Sequence, residues 1–192
     1  NQDNAYITAN YALSSDQIVV ILKTVAEGCR LYDSLRQMDD LAWALRQEPG
    51  VQTTTSLAES VRSVSSAMFE GSPTWLALRR NQAIVDASVS AAMLATPDIT
   101  NQGCSVSPLV AYLADHKADT LSRVLKIAED FKLQQTASGS TEQPVEFLLA
   151  AGSAGIEAAT NIEVQKSIVT MYLAVYGATA LLCLITFRSI RA

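Results

Sequence analysis

The chain has 192 residues, 49% of them hydrophobic, with 14 Lys and Arg against 19 Asp and Glu. That length suits one domain plus one membrane span. Residues 1–166 set 12 basic against all 19 acidic side chains, a net of −7, which argues against nucleic acid as a partner because phosphate binding needs a surplus of Lys and Arg.

Residues 1–13 read as irregular. Ser14-Ser15-Asp16 then precede Ile18-Val19-Val20-Ile21-Leu22, a β-branched run bounded by Glu27-Gly28. Such a run reads as a strand buried on both faces, with a helix as the alternative. From Arg30 the period changes. Leu31, Leu35, Met38, Ala42 and Leu45 recur at steps of three and four among charged residues, the pattern of an amphipathic helix. Pro49 and Gly50 end it, and Val51 to Thr55 supplies a weak second strand.

Ser56-Leu57-Ala58-Glu59 fits a capping box, followed by Leu57, Val61, Val64 and Met68 on one helical face and Gly71 as a stop. Ser72-Pro73 predicts the start of a further helix through Leu76, Ala83, Ile84, Ala87 and Leu94 to about Ala95, stopped by Thr96-Pro97-Asp98. A third strand is expected from Pro108 through Leu109 to Leu113. Lys117 to Leu133 is helical, with Leu121, Val124, Leu125, Ala128 and Phe131 apolar. Residues 134–143 read as a polar loop. Val145 to Leu149 reads as a fourth strand, so strand, helix, strand is expected twice, the order of an α/β or α+β layered domain.

Gly152-Ser153-Ala154-Gly155 breaks that strand, and a helix follows from about Ile156. Ala151, Gly155 and Ala159 place small side chains four apart, which suits either close approach to a neighbouring helix or ordinary packing. Ser167 to Phe187 then carries no charged residue over 21 positions. As a helix it reaches roughly 30 Å, the thickness of a bilayer's hydrocarbon core. It reads as a membrane-spanning helix, anchored by residues such as Ile168, Leu173, Leu181 and Leu184. The alternative is a buried central helix, but such helices show a polar residue every turn or two. The organisation expected is a domain over 1–155, a juxtamembrane helix over 156–166, the span over 167–187 and a basic end over 188–192.

Arg188 and Arg191 mark the cytoplasmic side by the positive-inside rule, which puts the N-terminal domain outside; in a bacterium that is the periplasm, at the inner membrane. The start at Asn1 and the stop at Ala192 suggest a piece of a longer protein. Cys183 falls inside the span. In an oxidising space Cys29 and Cys104 would bridge; otherwise they are two buried thiols.

Four pieces together resemble one family: Ala150 to Ile156 with Ala158-Ala159-Thr160-Asn161, the span itself, Phe187-Arg188-Ser189-Ile190-Arg191-Ala192, and Asp115-His116-Lys117-Ala118-Asp119-Thr120-Leu121. They look like the end of a periplasmic domain and the following membrane helix in RND-superfamily exporters of the MMPL-like kind. Within these pieces Asp115, His116, Lys117, Gly152, Gly155, Asn161, Phe187, Arg188, Ser189 and Arg191 carry the resemblance. It implies a proton-driven pump of about a dozen spans with α/β periplasmic porter domains, exporting lipids or other hydrophobic molecules. The partners implied are the bilayer, the remaining membrane helices and a hydrophobic substrate; homo-oligomers are compatible with it. The family's proton-relaying acids lie in other helices, so none carries over here.

No catalytic, cofactor or metal site is expected. His116 is the only histidine, too little for a metal site or a triad with Cys29 or Cys104. Gly152 to Gly155 lacks the Lys-Ser/Thr pair of a phosphate loop. Trp43 and Trp75 are expected to be buried by packing, and Asp39-Asp40 and Glu129-Asp130 to face solvent. The reading is therefore a non-enzymatic exporter segment; the alternative is a single-pass structural subunit of a larger membrane complex.

Overall fold

The computed structural model describes residues 6, 16–115, 117–138 and 145–187. Expectations for the remaining residues, including nearly all of the irregular start, residues 139–143 of the expected loop, His116 and the basic end, lie outside the described residues. Between Gln17 and Phe187 the elements in chain order are β1 (Gln17–Lys23), α1 (Tyr32–Arg46), β2 (Val51–Ser56), α2 (Leu57–Met68), α3 (Gln82–Ala95), β3 (Val106–Leu113), α4 (Ala118–Ser138), β4 (Glu146–Ala151) and α5 (Ser153–Phe187). This is the mixed α/β body with a C-terminal apolar helix that periodicity predicts.

The four strands form one sheet in the order β2-β3-β1-β4, every neighbouring pair antiparallel. Since β1 and β2 both oppose β3, they run the same way with β3 between them. In the same manner β3 and β4 run together with β1 between them. Each strand-helix-strand passage thus leaves a gap that the other's strand fills, the split-βαβ, ferredoxin-like interleaving. The α2–α3 hairpin is an addition between the two passages.

β1 alternates: Ile18, Val20 and Leu22 are buried, whereas Val19 and Ile21 are only half-buried. The expectation of a strand buried on both faces is corrected here. Helices cover one face, and the other, with Val19, Ile21, Pro108, Val110, Tyr112 and Leu148, stays open. Leu35, Met38, Leu41 and Leu45 of α1 join Ile18, Val20 and Leu22 in one core with Leu121, Val124 and Leu125 of α4. Each such fully buried chain contributes about 1.5–3 kcal/mol of transfer free energy.

Four boundaries differ from expectation, each for a local reason. Ser72-Pro73 opens only a 3-10 turn (Pro73–Trp75); α3 starts at Gln82, where the Asn81 Oδ1 accepts the Ile84 amide at 3.4 Å. β3 begins at Val106, before Pro108. That proline fits inside the strand because β2 ends opposite Leu109, leaving Pro108 without a ladder partner on that side. α4 continues to Ser138, so residues 134–138 are helical rather than loop. α5 starts at Ser153, three residues earlier than expected, because Gly152 alone makes the turn. Five apolar side chains assigned to helices are exposed: Met68, Leu76, Ala83, Ala87 and Leu94.

Candidate functional site

The helix that dominates the surface is set by one glycine. Gly152 follows β4 with φ +88°, and a Cβ there would stand 2.8 Å from the Gln17 carbonyl oxygen. Only glycine tolerates both the left-handed backbone and that approach. The Gly152 carbonyl accepts the Ile156 amide at 3.1 Å, so the helix starts at once, beside the N-terminal end of β1. Gly155 is buried; from Ile156 onward no described side chain is.

α5 is 35 residues long, about 52 Å. Its stretch Gly155–Cys183 is long and apolar enough to cross a membrane. The alternative of a buried core helix is excluded by exposure, with Leu173 71% and Tyr176 69% accessible. Such a continuous apolar surface far exceeds what a folded body normally leaves to water. Two hydroxyls inside it are satisfied locally: Thr179 Oγ1 donates to the Val175 carbonyl at 2.8 Å and Thr160 Oγ1 to that of Ile156. Tyr172 and Tyr176 stack one turn apart, ring centres 6.1 Å from each other.

Of the anchor residues, Ile168, Leu173 and Leu181 are exposed on α5; Leu184 lies on the same helix, its side chain outside the description. The small residues do not form one helical stripe. Ala151 closes β4, Gly155 is buried in the first turn of α5, and Ala159 is exposed one turn later. Asn161 is exposed. Phe187 ends α5, while His116, Arg188, Ser189 and Arg191 lie outside the described residues. Asp115 and Lys117 are brought together: Lys117 Nζ lies 2.7 Å from Asp115 Oδ2, and the Lys117 amide donates to Oδ1 at 3.2 Å. The Lys117 ammonium, then Thr120 and that amide, hold the Asp115 carboxyl down at about 2, and the same pairing raises Lys117.

At the opposite end of β1, Cys29 and Cys104 are bridged, both fully buried, with Cα atoms 5.3 Å apart. The bridge extends the β1–β3 ladder past its last strand pair. Thr24 donates to Ser105, Glu27 to Gly103 and Cys29 to Cys104, all at 2.8–2.9 Å between backbone groups. Asn101 shapes the return loop, its Oδ1 accepting the Ser105 and Val106 amides at 2.8 and 3.0 Å. Loop residues offered no periodic signal for this clasp, although an Asn two residues before a Gly was its trace.

Expected positions elsewhere need three corrections. Trp43 is 60% exposed, because α1 buries Leu41, Ala42 and Leu45 and turns Trp43 to the outside. Trp75 is half-buried on the surface, stacked on Phe69 at 3.7 Å with the Arg79 guanidinium 5.1 Å above its ring. Asp39 is not freely solvated: it packs between α1 and α2 with Arg62 Nη2 3.3 Å from its Oδ1. Burial pushes its carboxyl up, against the pull of Arg62 and Arg46 and with a push from Asp40. Glu48 pairs with Arg123 at 2.8 Å, tying α1's end to α4. Among the described residues no three His, Cys, Asp or Glu cluster as a metal site would require.

The search against protein-family models found no match, and no curated protein sequence matches the chain either. The site therefore speaks through its geometry: a disulfide-tied split-βαβ body with a bare apolar helix at the far end.

Proposed function

We propose that the chain is a segment of an RND-superfamily exporter of the MMPL-like kind, supplying a porter domain and the membrane helix after it. The observation that carries this reading is the direct run of the split-βαβ sheet, through Gly152, into a 35-residue helix exposed from its second turn onward. Three residues of the sequence resemblance fall at that junction: Gly152 makes the turn, Gly155 is buried just after it, and Asn161 follows on the emerging helix.

In this role α5 lies in the bilayer from about Ser167 to Phe187, and residues 153–166 form a stalk of roughly 20 Å between the body and the acyl chains. The body stands in the periplasm, where the Cys29–Cys104 bridge is kept oxidised. The chain performs no covalent chemistry. It passes or gates a hydrophobic substrate by moving as a rigid unit: the continuous helix transmits displacement of the membrane part to β1 and β4 with no flexible joint between them. Energy would come from proton movement through other helices of the same transporter.

The test is the coding sequence beyond Ala192 together with extraction of the expressed protein. The reading expects further apolar stretches of about twenty residues and retention in the membrane fraction through carbonate and high salt. A stop codon directly after Ala192 overturns the exporter assignment and leaves a single-pass structural subunit. Release by carbonate overturns the anchor itself.

A further inference from the structure

Between α2 and α3 the chain leaves the core and builds a knob on the surface. Glu70 and Gly71, at φ 58° and 73°, turn it out of α2, and the Gly71 amide closes that turn on the Ser66 carbonyl at 2.8 Å. Pro73–Trp75 makes a single 3-10 turn whose last residue lies against Phe69. The Arg79 guanidinium stands over the same indole and donates to the Thr74 carbonyl, 2.6 Å away. Met68, Phe69 and Leu76 are exposed around it. Rings and arginine are thus already held in place, so a partner that meets them immobilises little. Tryptophan and arginine presented together are also the residue types that carry binding energy between proteins.

Charge selects the partner. Over residues 60–85 three arginines, Arg62, Arg79 and Arg80, stand against one acid, Glu70, although residues 1–166 carry a net of −7. Arg62 is taken up by Asp39. Arg79 and Arg80 make no ion pair among the described residues, and Arg80 lies exposed 5.4 Å over the Tyr32 ring. Two neighbouring guanidinium groups without a carboxylate are matched by carboxylates brought from outside. A second copy docked knob to knob would set arginines against arginines. The bilayer that holds α5 is out of reach. Tyr32 opens α1, and the Gln82 side-chain amide donates to the Arg30 carbonyl at 3.0 Å, so the knob sits beside the Cys29–Cys104 clasp, whereas α5 leaves from the other end of β1.

We infer that this knob docks an acidic segment of a separate protein at the end of the body remote from the membrane. Arg79 and Arg80 take its carboxylates, and an apolar side chain of the segment lies against Trp75, Met68 and Leu76. The inference uses the position of α5 on the body and does not rest on the exporter reading.

The probe is a synthetic hexapeptide of four glutamates and two phenylalanines, compared with peptides that carry lysine for glutamate or serine for phenylalanine. Each is titrated calorimetrically into the full chain in phosphatidylcholine nanodiscs, with empty discs as the blank. The variants are Arg79→Gln with Arg80→Gln, the charge-reversed pair Arg79→Glu with Arg80→Glu, and Arg36→Gln, which removes an equal charge from the exposed side of α1. Thermal melts establish that each is folded; should changes at Arg79 melt early, Arg80→Gln and Arg80→Glu alone serve in their place. The expected result is saturable binding of the glutamate–phenylalanine peptide, weaker in high salt and weaker when serine replaces phenylalanine. The double glutamine variant should weaken it roughly tenfold or more, Arg36→Gln should leave it unchanged, and charge reversal should turn the preference to the lysine peptide. Absence of saturable binding, equal affinity for the lysine peptide or equal loss in Arg36→Gln overturns the assignment. So does flotation of the discs with phosphatidylglycerol vesicles through the same two arginines, which would make the knob a lipid contact.

Discussion

Removing the Cys29–Cys104 bridge by the double change Cys29→Ala, Cys104→Ala should destabilise the body chiefly through its unfolded state. The bridged residues are 75 apart in sequence. Closing a loop of that length removes chain entropy worth on the order of 4.5 kcal/mol at 25 °C. The native side changes little. The ladder from Thr24–Ser105 to Cys29–Cys104 is made of backbone bonds that alanine keeps, and the Thr100 hydroxyl lies 3.6 Å from the Cys29 sulfur. Engineered and native bridges commonly deliver somewhat less than the entropy figure, so the expected loss is about 3–4 kcal/mol. For a body of this size that lowers Tm by roughly 10 °C. The assay is urea unfolding of the full chain in nonionic micelles, followed by Trp43 and Trp75 fluorescence and by far-ultraviolet circular dichroism. A loss below about 1 kcal/mol with coincident transitions would refute the reasoning, because the loop would then be closed by other contacts in the unfolded chain.

Three further perturbations have signed outcomes. Gly152→Val places a side chain at φ +88° and against the Gln17 carbonyl, and should cost at least about 2 kcal/mol by the same urea assay; an unchanged midpoint contradicts the turn described. Burial raises the Asp39 carboxyl above 3.8, so its protonated form stabilises the fold at low pH, and that contribution is lost as pH rises through the folded value. Wild type should therefore lose stability relative to Asp39→Asn as pH climbs above 3.8, and a flat difference between the two counts against burial as the cause. For Asp115, held down at about 2 by the Lys117 ammonium, the sign is opposite: its contribution is complete above 3.8 and disappears as pH falls through about 2. Carboxyl-carbon chemical shifts should titrate there, and Lys117→Met should move the midpoint back toward 3.8.

The elements that packing periodicity governs were legible. β1, α1 and α4 follow runs such as Leu35, Met38, Ala42 and Leu45, because burial on one side is what those residues contribute. Ser56-x-x-Glu59 announced α2, and the Ser56 hydroxyl does accept the Glu59 amide. Segments held by single tertiary contacts were not legible. Ser72-Pro73 carries a sound helix-start signal, yet the Phe69–Trp75 stack and Arg79 hold that stretch as a surface knob until Asn81 restarts the helix. Trp43 was misplaced because aromatic bulk suggests burial, while its angular position on α1 puts it outside. The pairing of Cys29 with Cys104 could be weighed from the count of cysteines. The strand order could not, since β1 and β2 are neighbours in sequence but are separated in the sheet by β3.

Immersion of α5 in lipid is open to direct measurement, and the chain carries its own probe for it. Cys183 lies exposed on α5 and is the free thiol, Cys29 and Cys104 being bridged. A nitroxide attached there in reconstituted bilayers should collide readily with oxygen and hardly at all with a water-soluble nickel chelate. Collision with the nickel chelate as frequent as at an exposed site on the body would contradict immersion, and with it the reading of this protein as a membrane-anchored exporter segment.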